Sequence, residues 1–211
     1  AGIVMIYIAA QAVAAWIPGM FRRVFHGDIP TFGFYFGVIY LVFGSVGCVA
    51  AGRTADWLRA RGVLNANMLV IMWVAILNIP VCFGWSLAPN GNVALIWLVP
   101  WTMLTAAPWG IAAAAIQQSM PTPLRGKVSA LYLAVNGLIG MGIGPTATAL
   151  CTQYLFRRDD AVNYSLLLVC AVALIAATFL LWIGSKAFLG SLDRLRVWSA
   201  ANSEEGLKTA V

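Results

Sequence analysis

Long apolar runs separated by short polar stretches make up almost the whole chain. The runs are continuous rather than alternating, which favours helices over the strands of a membrane barrel. Each is close to the roughly 20 residues that a helix needs to cross a bilayer core of about 30 Å. The pattern therefore predicts an all-α, polytopic membrane protein with six transmembrane helices, at about 3–20, 31–55, 67–87, 93–117, 128–154 and 164–184.

The composition agrees with a membrane setting. Of the 211 residues, 62% are hydrophobic and 9% are charged, whereas soluble domains carry about 25% charged residues. The net charge of +6 comes from basic residues between the apolar runs, so it indicates lipid headgroups rather than nucleic acid as its partner. The four cysteines fall in four different runs and lack the spacing of a metal site or a disulfide framework.

The basic residues also predict the orientation of the chain. Nine Lys and Arg residues fall in the turns at 52–62 and 118–127 and in the tail, against four on the opposite side. The positive-inside rule then places both termini in the cytoplasm. We expect residues 1–187 to form the six-span bundle and 188–211 to form a cytoplasmic tail that is partly interfacial or disordered. Because the chain opens almost inside a span, we expect it to be a piece of a longer protein.

The densest group of charges between two runs is the basic turn at 52–62, with Gly52, Asp56, Arg59 and Arg61. Its order, G-x-x-A-D-x-x-x-x-R, resembles the cytoplasmic loop G-x-L-A-D-R-x-G-R-R of the major facilitator superfamily. Trp57 stands where that family often has Arg, and Arg59 where it often has Gly, as is common in the second copy of the loop. The resemblance implies the C-terminal six-helix half of a secondary transporter, partnered by an N-terminal half of the same protein.

The next predicted cytoplasmic turn carries Pro121, Arg125 and Gly126 and leads into a glycine-rich span that ends in Gly144-Pro145-Thr146. This arrangement resembles the spinster-like branch of the superfamily. Small residues at G-x-x-x-G spacing let helices pack closely, and a glycine-rich helix next to a proline deforms readily. We therefore expect flexing at Pro108, Gly137, Gly140, Gly144 and Pro145. We also expect a packing seam along the second span, where Gly33 and Gly37 have this spacing and Gly44, Gly47 and Ala51 roughly continue the stripe.

By the same resemblance, four of the six spans line a central cavity or the seam between the halves. Their polar and aromatic residues are the candidates for substrate contact: Gln11, Tyr35, Tyr40, Trp101, Thr105, Trp109, Tyr132 and Asn136. Aromatic walls with a few amides would suit a small amphipathic or lipophilic organic solute. Helix packing and interhelical hydrogen bonding are the alternative explanation for any one of these residues.

No ionisable residue lies well inside a span, so this half offers no evident proton carrier. Coupling to protons would then depend on the other half. Asp56 is either a solvated acid paired with Arg59 or Arg61, or a latch that faces the positive end of a neighbouring helix.

The inventory of residues predicts that the chain is not an enzyme and holds no metal or cofactor. A secondary transporter of the plasma (bacterial inner) membrane is the first functional hypothesis. A non-coupled membrane module, scrambling or structural, is the alternative.

Overall fold

A computed structural model of the protein describes residues 2–25, 27–63, 65–119, 122–158 and 161–209, without the side chains at 29, 113–119, 122–125 and 186–209. The described chain is helical and contains no strand. Its elements are α1 (Gly2–Val24), α2 (Ile29–Ala60), α3 (Ala66–Ser86), α4 (Gly91–Ser119), α5 (Thr122–Val135), α6 (Met141–Leu150) and α7 (Val162–Thr209).

The fifth span is one interrupted helix. A π-helical segment, Asn136–Gly140, joins α5 to α6, and a second, Cys151–Phe156, follows α6. The described residues contain six helices that are long and apolar enough to cross a membrane. The prediction of an all-α chain with six such helices is confirmed, and it indicates an integral membrane protein.

The α2–α3 connection differs from its prediction. Helix α2 runs on to Ala60, so the predicted turn at 52–62 is wrong over most of its length. The chain leaves the helix at Gly62, which has φ 86° and whose N–H donates to the Arg59 carbonyl at 2.9 Å, while Val63 N–H donates to the Leu58 carbonyl at 3.1 Å. This pair of bonds is the Schellman motif, in which glycine adopts the left-handed conformation without strain. Gly52 and Asp56 therefore lie on a helix, not in a loop.

At the opposite end of the bundle, Asp28 begins α2. Its carboxylate accepts hydrogen bonds from Thr31 N–H at 3.2 Å and from the Thr31 hydroxyl at 2.7 Å. Pro30 occupies the first helical turn, where its missing N–H costs nothing. The start of α7 is tied to the end of α3, because the Ser86 hydroxyl donates to the Asn163 carbonyl at 2.7 Å. The loop before α2 also borders the loop before α4, since Asp28 and Asn90 line one surface cavity, so the connections after α1, α3 and the fifth span lie at one end.

The packing of the six spans repeats itself. Helix α2 packs on α4, α4 on α3 and α3 on α7, while α6 packs on α1 and α1 on α7. The first three spans correspond in order to the last three: α1 to α4, α2 to the fifth span and α3 to α7. When each span is replaced by its counterpart, the same set of helix contacts results. Since each unit has an odd number of spans, the two units have opposite directions in a membrane, as in an inverted repeat. Helices α3 and α7 form the centre of one side, and α2 and the fifth span lie on the flanks.

Two glycines allow the closest backbone-to-backbone approaches between spans. A Cβ at Gly144 of α6 would meet the backbone of α1 at Ile8, and one at Gly47 of α2 would meet the backbone of α4 at Met103. Gly33 and Gly37 instead face open space, with nothing within 4 Å of an added Cβ. The seam expected along α2 therefore runs through its later residues, Gly44, Gly47 and Ala51, whereas Gly33 and Gly37 meet no other helix of the described chain.

Helix α7 continues to Thr209. The predicted tail at 188–211 is therefore an unbroken helical extension of the sixth span as far as that residue. Helix α4 likewise continues through Pro100 and Pro108.

Candidate functional site

Tyr7 is the buried centre of a polar and aromatic cluster that is partly exposed. It lies on α1 and is only 7% exposed. Its ring contacts Trp109 of α4 edge to face, with the ring centroids 4.8 Å apart and the planes at 69°. Aromatic rings favour this geometry, which places the positive edge of one ring on the negative face of the other.

The fifth span contributes Tyr132 and Asn136 to the same place. The Tyr132 hydroxyl lies close to the hydroxyl of Tyr7 and to Asn136, without the geometry of a hydrogen bond. The Asn136 amide nitrogen donates to the Tyr132 carbonyl at 2.8 Å, but its oxygen is buried and has no partner in the described part of the chain. Buried polar atoms are rarely left unpaired, so this pair has unused capacity to bind water or a ligand.

Gln11 and Tyr40 complete the group. Gly140 packs against α1, where a Cβ would lie 3.3 Å from Tyr7 Cβ and 3.8 Å from Gln11 Cγ, so Gln11 borders the same surface one turn along. Tyr40 of α2 is 51% exposed and lies at the edge of the group, where it interacts with Tyr7 only electrostatically. We call the residues Tyr7, Gln11, Tyr40, Trp109, Tyr132 and Asn136 the aromatic–amide cluster.

The cluster adjoins the interruption of the fifth span. Asn136 is the first residue of the π-helical segment and Gly140 the last. A π-helical turn widens the backbone and leaves it less regularly hydrogen-bonded, and such turns occur often at functional sites. Beyond it, the Trp16 indole N–H on α1 donates to the Pro145 carbonyl on α6 at 2.9 Å, which fixes the other end of the same helix pair.

Three predicted cavity residues lie elsewhere. Trp101 is 2% exposed and packs edge to face on Trp85 at 5.6 Å in the interior. The Thr105 hydroxyl donates to the carbonyl of Trp101 in its own helix at 2.8 Å. Tyr35 is 52% exposed and borders a separate surface cavity beside Asp28 and Asn90, between two loops.

Tyr7 is the cluster residue that the sequence interpretation missed. It lies four positions before Gln11 in an otherwise apolar span, and positions i and i+4 share one helix face. That spacing is the signal that would have identified it.

The basic segment at the end of α2 is mostly exposed. The Asp56 carboxylate is 78% exposed and lies 3.9 Å from Arg59. The guanidinium of Arg61 stacks instead on the Trp57 ring, 3.6 Å from its centroid, and Arg59 donates to the Asn67 side chain of α3 at 2.9 Å. Asp56 therefore holds one long, exposed ion pair, which contributes little to stability.

The second predicted cytoplasmic turn is described only in part. Pro121 lies outside the described residues, as does the side chain of Arg125. Gly126 is exposed within α5 and has open space around it.

No protein-family model matches the chain, and a search of curated proteins gives no match. The likeness to the major facilitator superfamily accordingly rests on the motif and span order seen in the sequence.

Proposed function

We propose that the chain is the C-terminal six-helix half of a secondary active transporter, which moves a small amphipathic or lipophilic organic solute by alternating access. The observation that carries the proposal is the position of the aromatic–amide cluster. It lies where α1 of one three-span unit meets α4 and the fifth span of the other, next to a helix interruption. Substrate sites of transporters built from inverted repeats lie at such repeat interfaces and use discontinuous helices.

The chemistry of the cluster supports the class of solute. Two aromatic rings at 4.8 Å offer apolar contact. The Tyr132 hydroxyl and Asn136 oxygen are buried polar atoms without hydrogen-bond partners among the described residues. A solute with a flat apolar body and a few hydrogen-bonding groups would satisfy both. A sugar would need many more polar partners than the six residues supply.

The exposed apolar surface of α2 and the fifth span supports the presence of a partner half. Large apolar side chains on α2 and the fifth span are strongly exposed, among them Leu41 at 72% and Leu138 at 78%. Part of this surface would face lipid. We propose that the rest packs against an N-terminal six-helix half of the same protein and that the solute cavity forms between the halves.

The same proposal has consequences for proton coupling and for the orientation of the chain in the membrane. The cluster holds no acid, base or histidine, so a proton-coupled transporter would carry its titrating group in the partner half. The excess of basic residues supports a protein of the plasma (bacterial inner) membrane with both termini of this chain on the cytoplasmic side.

Transport in proteoliposomes tests the proposal. The twelve-span protein would be reconstituted and uptake of radiolabelled amphipathic probes, such as tetraphenylphosphonium and tryptamine, followed with and without a proton gradient. Trp109→Leu removes an aromatic wall and should raise the KM for a transported probe about tenfold, because losing such a contact costs about 1.5 kcal/mol.

Trp182→Leu is the matched control. Trp182 is 50% exposed on α7 and Trp109 is 53% exposed on α4, so the two changes remove similar side chains from different surfaces. Equal effects of the two substitutions would remove the cluster from the substrate pathway. Lipid flipping without saturable solute uptake would instead support the non-coupled module.

A further inference from the structure

An apolar groove separates α2 from α3 on the outside of the bundle. Helix α4 forms its floor, and its volume is about 270 Å³. Its walls include Gly47, Ala50, Thr54, Leu58, Trp73 and Met103. Trp73 is 57% exposed at the rim. The groove does not include any residue of the aromatic–amide cluster.

The groove has the length of a lipid chain. Gly47 and Leu58 are 11 positions apart on one helix, which is about 16 Å at 1.5 Å per residue. One leaflet supplies about half of a hydrocarbon core of about 30 Å. An acyl chain of one leaflet therefore matches the groove from end to end.

One end of the groove is polar and basic. Arg59 of α2 donates to Asn67 of α3 at 2.9 Å, and this bridge crosses between the two helices just beyond the lining residues Leu58 and Val70. The segment 53–61 carries three arginines and one aspartate, a net charge of +2. Basic residues at the end of a membrane helix attract anionic headgroups.

We propose that this groove binds one acyl chain of an anionic diacyl phospholipid and that Arg59 holds the lipid phosphate. The guanidinium can keep its bond to Asn67 and still donate to a phosphate oxygen, because it has five N–H groups. The bound lipid would join α2 to α3, which otherwise pack on each other far less than each packs on α4. The site does not depend on the transport proposal.

Lipid retention by the purified chain tests the site. The protein would be taken from vesicles of phosphatidylglycerol or of phosphatidylcholine, and retained lipids counted by native mass spectrometry. Ala50→Trp fills the groove and should lower retention of phosphatidylglycerol about tenfold, since each displaced methylene costs roughly fourfold in affinity. Val49→Trp is the control, because Val49 precedes Ala50 and does not line the groove.

A second pair of variants tests recognition of the lipid headgroup. Arg59→Gln should reduce the preference for phosphatidylglycerol over phosphatidylcholine about fivefold, and Arg53→Gln should change it much less. Loss of the preference to the same extent in both variants would mean that general positive charge, not the Arg59 site, selects the lipid.

Photo-crosslinking covers the case in which a variant fails to fold. A phosphatidylglycerol with a diazirine on its acyl chain would be irradiated with the unmodified protein and the labelled peptides mapped. Labels concentrated on Trp73 and Met103 support the site. Equal labelling of the purely apolar groove between α3 and α7, at Met72 and Phe179, would show ordinary surrounding lipid and overturn the proposal, as would equal retention by Ala50→Trp and Val49→Trp.

Discussion

Gly144 is the position at which one added methyl group should separate two spans. An alanine Cβ there would press on the Ile8 carbonyl oxygen and lie 3.0 Å from the Ala12 nitrogen. Both are backbone atoms of α1, so no side-chain rotation can relieve the contact. Gly142, two positions earlier on α6, has nothing within 4 Å of an added Cβ.

The difference between Gly144→Ala and Gly142→Ala isolates this contact. In a helix, replacing glycine with alanine favours folding by roughly 1 kcal/mol, and that gain is common to both variants. Overpacking a rigid site costs about 1–3 kcal/mol. We therefore expect Gly142→Ala to be neutral or slightly stabilising and Gly144→Ala to be less stable than it by about 1–3 kcal/mol.

Reversible unfolding of the purified chain in mixed micelles measures the difference. A change of 1 kcal/mol corresponds to about 2–4 °C in Tm for a domain of this size, so the two variants should differ by about 2–12 °C. Equal melting temperatures would mean that α1 and α6 are not in backbone contact. A loss of stability in Gly142→Ala alone would contradict the assigned faces of α6.

Three further substitutions test other parts of the molecule. Asp56→Asn should change Tm by less than about 2 °C, since the carboxylate forms one exposed ion pair. It should slow transport about fivefold if Asp56 is a latch on a neighbouring helix, and unchanged uptake would refute the latch. Asn78 is fully buried, and neither atom of its side-chain amide has a hydrogen-bond partner in the described chain. Asn78→Leu should therefore raise the free energy of unfolding by about 1 kcal/mol in chemical denaturation. A lower free energy of unfolding would reveal a partner such as an internal water. Trp16→Phe removes the donor to the Pro145 carbonyl and should cost about 0.6 kcal/mol in the same assay, with no loss if the indole finds another acceptor.

The number and type of the spans could be predicted from the sequence because each span satisfies its own backbone hydrogen bonds. A long apolar run in lipid has few alternatives to a helix, so the length and order of the apolar runs were sufficient. The ends of helices depend on local hydrogen bonds that composition does not reveal. Gly62 marked the end of α2 through its positive φ, yet the charges at 53–59 suggested a turn, because polar residues are compatible both with a loop and with an exposed last helical turn.

Helix packing was less predictable, because the spacing of small residues does not tell which face of a helix meets another helix. Gly33-x-x-x-Gly37 and Gly140-x-x-x-Gly144 have the same pattern, but only the second pair meets another helix. A small residue permits close approach and does not require it. The rotation of α2 about its axis decides which glycines reach α4, and that rotation is set by contacts with residues distant in the sequence.

The aromatic–amide cluster also could be predicted only in part, because the sequence does not tell which polar residues of the spans meet. Of the eight residues chosen for their chemistry, five gather around Tyr7, whereas Trp101 and Thr105 face the packed interior and Tyr35 borders a separate surface cavity. Type alone could not separate them, since an indole serves equally well for packing or for binding. What distinguishes the five is their position around Tyr7, at the boundary where α1 of one three-span unit meets α4 and the fifth span of the other. The helix alone does not distinguish them, because Trp101 and Thr105 share α4 with Trp109. A site at that boundary changes shape whenever the units move relative to each other, which is the property that alternating access requires.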